Sequence, residues 1–226
     1  MTTVVPDRLR REIAGDLRPV HPLPPVWRRS VAVFIVALAV FAAVLTTHAL
    51  RADLVSLSPW VGWGGAFLEA LVGLLAIALA LRESVPGAAL SRGAIGLAIG
   101  LGLAMNLLVV IATRLSVGSG TPVGIPCASG MMCSRNETII ALPAFLLTVY
   151  LVLRALPLRP QIVGLLGGLG AGLVGDGINH LLCPMSSLRH VLVWHTGAMI
   201  GLMFIGWCCG GIWNIARQRR HQRSQA

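Results

Sequence analysis

Residues 30–50 read SVAVFIVALAVFAAVLTTHAL, an apolar run without a single acidic or basic carboxylate, ammonium or guanidinium group. A helix needs about 20 such residues to cross a hydrocarbon core of roughly 30 Å. Working outward, five further stretches of suitable length lie at about 60–81, 93–113, 137–153, 161–182 and 190–213. The chain of 226 residues is 56% hydrophobic and only 12% charged, with a mean hydropathy of +0.81, beyond what an ordinary soluble domain carries. Alternation at period two is absent, so a transmembrane barrel is a poor alternative, and backbone groups facing lipid must then be satisfied inside helices. The expected fold is an all-α integral membrane protein, a bundle of six transmembrane helices.

A formal charge of +10 would suggest nucleic acid in a soluble domain. Here its distribution points to topology. Every one of the 18 basic residues is arginine, and 14 fall before the first span, between spans two and three, between four and five, or after the sixth. The opposite loops hold only Arg51, Arg114, Arg135 and Arg189. The positive-inside rule therefore places both termini in the cytoplasm of a bacterium, with the bundle in the inner membrane. No aromatic stacking motif accompanies the basic ends, and no direct contact with nucleic acid is expected. The first span follows about thirty residues and leads into more membrane, so it reads as a retained anchor rather than a cleaved signal.

Three regions follow: an N-terminal arm over 1–29, the six-span domain over 30–213, and a basic tail over 214–226. In the arm Asp7, Leu9, Ile13 and Leu17 fall at helical spacing, which predicts a short amphipathic helix. It stops at Arg18-Pro19, and the prolines that follow enforce an extended connection. A helix this short is marginal in water, so it needs a partner surface, either a protein groove or lipid headgroups. In spans three and five, Gly96 with Gly100, and Gly164, Gly168 and Gly172, repeat at four-residue spacing, which allows helix backbones to approach closely.

Chemistry-bearing residues concentrate toward the outer face. Span five ends with Asp176, Asn179, His180 and Cys183, whose spacing shares one helical face. Span six begins with His190, Trp194 and His195. Glu69 lies in span two at a similar depth, and an ionisable group there costs roughly 2.5–3.5 kcal/mol on insertion scales, so a partner is expected among Asp176, His180 and His195. Glu69, Asp176 and His180 thus form a candidate intramembrane polar cluster, with plain hydrogen-bonded packing as the competing explanation.

Cys127, Cys133 and Cys183 all fall on the periplasmic side of this topology, the first two in a loop rich in Gly, Ser and Pro over 114–135. One disulfide and one free thiol satisfies the arithmetic, and the sequence does not choose the pair. The outer thiols with His190 and His195 are alternatively ligands for a soft or borderline metal ion. No CxxC or HExxH spacing is present. Cys208 and Cys209, on the inner half of span six, read mainly as packing.

Several of these residues carry a resemblance. Asp16-Leu17-Arg18-Pro19-Val20 with Pro22-Leu23, then Cys133 ahead of span four, then Cys183-Pro184 with His190-Val191-Leu192 and Trp194-His195, make the chain similar to the NrsF-type membrane proteins. These are six-span negative regulators of an extracytoplasmic-function sigma factor. The resemblance implies an anti-sigma factor without catalytic residues, whose N-terminal segment, including Leu9, Ile13, Asp16, Leu17, Arg18, Pro19 and Val20, holds the sigma factor at the bilayer. It implies that Cys133 and Cys183 are the pair that senses metal or oxidative stress. Cys127 departs from the pattern as an additional outer thiol. No resident cofactor is expected; a transient heavy-metal ion is the candidate ligand. Two other classes compete: a small transporter of soft metal ions, which vesicle uptake would reveal, and a membrane thiol-disulfide enzyme, which turnover of a model disulfide would reveal.

Overall fold

Apolar runs uninterrupted by water-facing positions leave the backbone one way to satisfy its own polar groups, and the computed structural model takes it. It describes residues 6–16, 23–117 and 127–223, and among these there is no strand. The elements are α1 (Asp7–Asp16), α2 (Val26–Thr47), α3 (Gly65–Glu83), α4 (Arg92–Val117), α5 (Cys127–Leu153), α6 (Pro160–His180), the short α7 (Leu188–His190) and α8 (Thr196–Arg223). A π-helical turn, Trp60–Gly64, leads into α3, and another, Val191–His195, joins α7 to α8. Six helices are long and apolar enough to cross a membrane: Val26–Thr47, Trp60–Glu83, Arg92–Ser116, Gly130–Leu153, Pro160–His180 and Leu188–Arg219. Two ends of the bundle can be told apart, a thiol end with Cys133 and Cys183 and an arginine end with Arg29 and Arg159.

The layering is inverted relative to a soluble protein. The most apolar span, α2, has only 11% of its apolar window buried, while the least apolar, α6, has 78% buried. Large side chains such as Phe34, Ile35 and Leu38 on α2 and Leu97 and Leu101 on α4 face outward. A soluble monomer does not tolerate an apolar mantle of that extent, whereas acyl chains solvate it. Helix α6 is the axis and packs on α3, α5 and α8.

Glycine lets it do so. A Cβ on Gly164 would overlap the Gly206 carbonyl of α8, and one on Gly168 would overlap the Leu202 carbonyl. On another face, a Cβ on Gly73 of α3 would sit 2.6 Å from the Gly170 carbonyl oxygen. The glycine repeat of span five is therefore a packing seam. That of span three is not: Gly96 and Gly100 have open space where a Cβ would stand.

Helix α5 begins earlier than the sequence suggests. Cys133 sits on the helix rather than in a loop, one turn before Glu137, and Trp194 closes over Gly130. The covering of this first stretch is local: Trp194 lies over Gly130 and Cys133 is half-buried, while Met131, Met132 and Arg135 stay exposed.

Arginines tie both ends. At the thiol end Arg51, 5% exposed, bonds Asp53 at 2.6 and 2.7 Å, donates to Ser186 Oγ at 2.9 Å and reaches the His180 carbonyl at the C-terminus of α6. That hydrogen-bonded guanidinium holds the Asp53 carboxyl below the usual carboxylate range. At the arginine end Arg29, 3% exposed, donates to the Leu81 carbonyl at 3.2 Å and Ser84 Oγ at 3.3 Å. Buried Glu83 accepts from Arg159 Nε at 2.7 Å and from the Leu90 N–H at 2.6 Å. Arg159→Ala strands that carboxylate, and the expected loss is about 1–3 kcal/mol for a buried group left without its partner. Thermal unfolding in detergent should show a lower midpoint than wild type, partly restored when Glu83→Gln is added; an unchanged midpoint would mean the pair is not stabilising.

Candidate functional site

The thiol end assembles side chains from five helices. Cys133 and Glu137 come from α5, Asp176, Asn179 and His180 from α6, Cys183 from the link after it, His190 from α7, His195 from the π-turn, Glu69 from α3 and Asn106 from α4. Ligand-type atoms of Cys133, Cys183, His190 and His195 all lie within 4.8 Å of one another. Cys133 Sγ is 3.3 Å from Cys183 Sγ, and His190 Nε2 is 3.5 Å from Cys183 Sγ.

The two histidines meet because of the π-turn. Five residues along an α-helix rotate a side chain by about 140° away from its starting face. The wider π-turn brings position i+5 back over position i, and the His190 and His195 rings are 5.4 Å apart between centroids. Ser187 caps the short α7 by accepting from the His190 N–H.

Such spacing suits a tetrahedral ion. Metal–sulfur bonds of about 2.3 Å and metal–nitrogen bonds of about 2.0 Å set ligand-to-ligand edges of roughly 3.3–3.8 Å. The same thiols can also form a disulfide after closing to about 2.05 Å. The neighbouring Cys133 thiol, and then burial, push the Cys183 thiol above its ordinary range, so at neutral pH it stands as a thiol.

Beneath the thiols lies a network of acids and amides. His195 Nδ1–H donates to Asp176 Oδ1 at 2.6 Å. Asn106 Nδ2 donates to Asp176 Oδ2 at 2.5 Å and to Glu69 Oε1 at 2.9 Å. Thr196 Oγ1 donates to Asn106 Oδ1 at 2.6 Å, which fixes the direction of that amide. Glu69, Asn106, Glu137, Asp176 and His195 are all buried. A cavity of about 20 Å³ is lined by Glu69, Asp176, His180, Cys183 and His195 among others, room for about one water molecule.

Of the residues singled out from sequence, Cys133, Cys183, His190 and His195 come together, and Glu69 meets Asp176 through Asn106. His180 borders the same cavity with Nε2 unpartnered, but joins neither ligand set. Cys208 and Cys209 lie on α8, half-buried and outside both ligand sets. Cys127 opens α5, and nothing of its side chain is described. In the arm, Leu9, Ile13 and Asp16 fall on α1, while Leu17, Arg18, Pro19 and Val20 lie outside the described residues.

Sequence reasoning missed Asn106, Glu137 and Thr196. Asn106 had a signal, being a lone amide in the apolar run LAMNLLVV. Glu137 heads the apolar run 137–153 in sequence, and the structure places it fully buried within α5, which runs on above it to Cys127.

No curated protein and no solved structure matches the chain. A family model described as NrsF, negative regulator of sigma F, matches residues 13–213, which takes in five of the six apolar helices whole, the sixth as far as Trp213, and every residue of the thiol end, and the chain belongs to that family of negative regulators.

Proposed function

We propose that this protein is a membrane-bound anti-sigma factor of a bacterial inner membrane, which holds an extracytoplasmic-function sigma factor through its N-terminal cytoplasmic arm. It lets the factor go when periplasmic thiols meet a metal or an oxidant. Family membership supports the regulatory class and the sigma-factor partner. The observation that carries the sensing role is the pair Cys133 and Cys183, 3.3 Å apart with His190 beside them. The arginine distribution supports cytoplasmic termini, which puts the thiols outside and the arm inside.

The imidazoles favour a metal as the primary signal, since a disulfide needs only the sulfurs, whereas two thiols and two imidazoles make a complete set for a borderline or soft divalent ion. Its coordination would draw α5 and the α7 to α8 connection onto the end of α6. Because α6 is keyed to α3 and α8 through glycine, a shift at one end moves helices at the other. The Arg29 bonds to Leu81 and Ser84 join α3 to the base of the arm, and α1 presents its described side chains to solvent, open to a partner.

The test is affinity capture from native membranes under unstressed conditions, comparing the full chain with one lacking residues 1–29. A sigma factor should be recovered with the full chain alone. Equal recovery from both would reject the arm as the binding element, and recovery from neither would reject sequestration.

A further inference from the structure

Below the thiols the bundle holds an acid that its own hydrogen bonds leave unfinished. Glu137 is 0% exposed, and neither of its carboxylate oxygens has a hydrogen-bond partner. Buried polar atoms are almost always paired, and a carboxylate in a low-dielectric interior demands a compensating charge or donor. His195 Nδ1 lies 3.6 Å from Glu137 Oε2 and 2.6 Å from Asp176 Oδ1. Ligand-type atoms of Glu137, Asp176 and His195 all lie within 4.8 Å of one another. They arrive on three different elements, so the packing of the bundle, rather than a local turn, brings them together.

The surroundings orient these groups. Asn106 occupies Asp176 Oδ2 and leaves Oδ1 toward His195, and the Thr196 hydroxyl decides which face of the Asn106 amide the carboxylates meet. The small cavity beside Asp176 and His195 leaves room for about one water molecule as a further ligand.

We propose that Glu137, Asp176 and His195 form a second cation site, a carboxylate–imidazole site for a borderline divalent ion of the zinc or cobalt(II) class. Two carboxylates balance the ion's charge, so that the filled site is neutral in an interior that penalises net charge. Two oxygens, one nitrogen and a water make the four-coordinate set such ions accept. Calcium and magnesium want six or more oxygens, and copper(I) prefers thiolates, so neither class fits. The ion takes the place of the proton in the His195–Asp176 bond. His195 belongs to the thiol set as well. When Nδ1 binds this ion, the proton it gives up passes to Nε2, which has no hydrogen-bond partner, so His195 serves one set at a time. The site needs neither thiol, and it stands without the sigma-factor reading.

Cobalt(II) added to the full-length Cys133→Ser/Cys183→Ser protein in lipid nanodiscs tests it. The expected result is a single bound equivalent, visible absorption without a sulfur-to-metal charge-transfer band, and a metal-dependent rise in melting temperature. Glu137→Gln or Asp176→Asn in that background should weaken binding by at least about 100-fold, and Thr196→Val, which frees the Asn106 amide, by about 10–100-fold. Absence of cobalt binding to the double serine protein overturns the proposal, as does undiminished affinity in the Glu137→Gln variant. If the glutamine or asparagine variants do not fold, the melting-temperature rise and its reduction in Thr196→Val at equal cobalt concentration decide the matter. A charge-transfer band in the protein with its cysteines intact reports on the thiol set alone, so the two sites fail or stand separately.

Discussion

Gly164→Val and Gly168→Val should each leave almost no folded protein in the membrane. At Gly164 a Cβ would overlap the Gly206 carbonyl, and at Gly168 the Leu202 carbonyl, so the obstacle is backbone rather than a side chain that can swing aside. Overpacking against side chains costs about 1–3 kcal/mol. Forcing two helix backbones apart also separates neighbouring contacts along the α6–α8 seam, and the loss should exceed that range. Tight helix approach through small residues is a main source of cohesion where lipid is as apolar as the protein. Gly96→Ala and Gly100→Ala are the internal controls, because a Cβ there meets open space; they should fold like wild type, since alanine is the better helix former. Monodisperse yield on size-exclusion chromatography reads all four. Wild-type yield of Gly164→Val would show that the α6–α8 contact is looser than described.

Cys133→Ser and Cys183→Ser should each bring metal-dependent release of the sigma factor down to the uninduced level. On the proposed reading, removing either thiol deletes one of four ligands and also prevents the disulfide, whose formation would send two electrons to an oxidant and two protons to water. The histidines separate the two chemistries. His190→Ala should lose the metal response while an oxidant still acts, because His190 places a nitrogen 3.5 Å from Cys183 Sγ that could ligate an ion but supplies no electron. A sigma-dependent reporter in cells exposed to cadmium or to a thiol oxidant makes the comparison. Full metal induction in both serine variants would remove the thiols from sensing, and loss of both responses in His190→Ala would mean that the imidazole organises the thiols rather than binding the ion.

How much of this was legible along the chain depends on which force acts. Lipid demands about 20 contiguous apolar residues whatever the neighbours are, so six helices could be read from composition and run length alone. The cost of an ionisable group in such a run likewise flagged Glu69 and Asp176 as partnered groups, and they share the Asn106 amide. Cys133, Cys183, His190 and His195 could be grouped from sequence as outer thiols and imidazoles able to hold one ion, but their closeness could not be read there. His190 and His195 stand at a spacing that an α-helix would splay apart, and a π-turn reunites them.

Other features had no local signature. Arg29 and Arg51 look like topology-setting charges in sequence, yet they are buried cross-links between helix ends. Gly96 and Gly164 sit in equivalent four-residue repeats, yet only the second faces another backbone. Glu137 resembles the polar rim of a span until α5 is extended a further ten residues above it. Solvent acts on each residue through its own polarity, which is written in the chain; packing acts through the surface of whichever helix lies opposite, and that surface exists only once the bundle has closed.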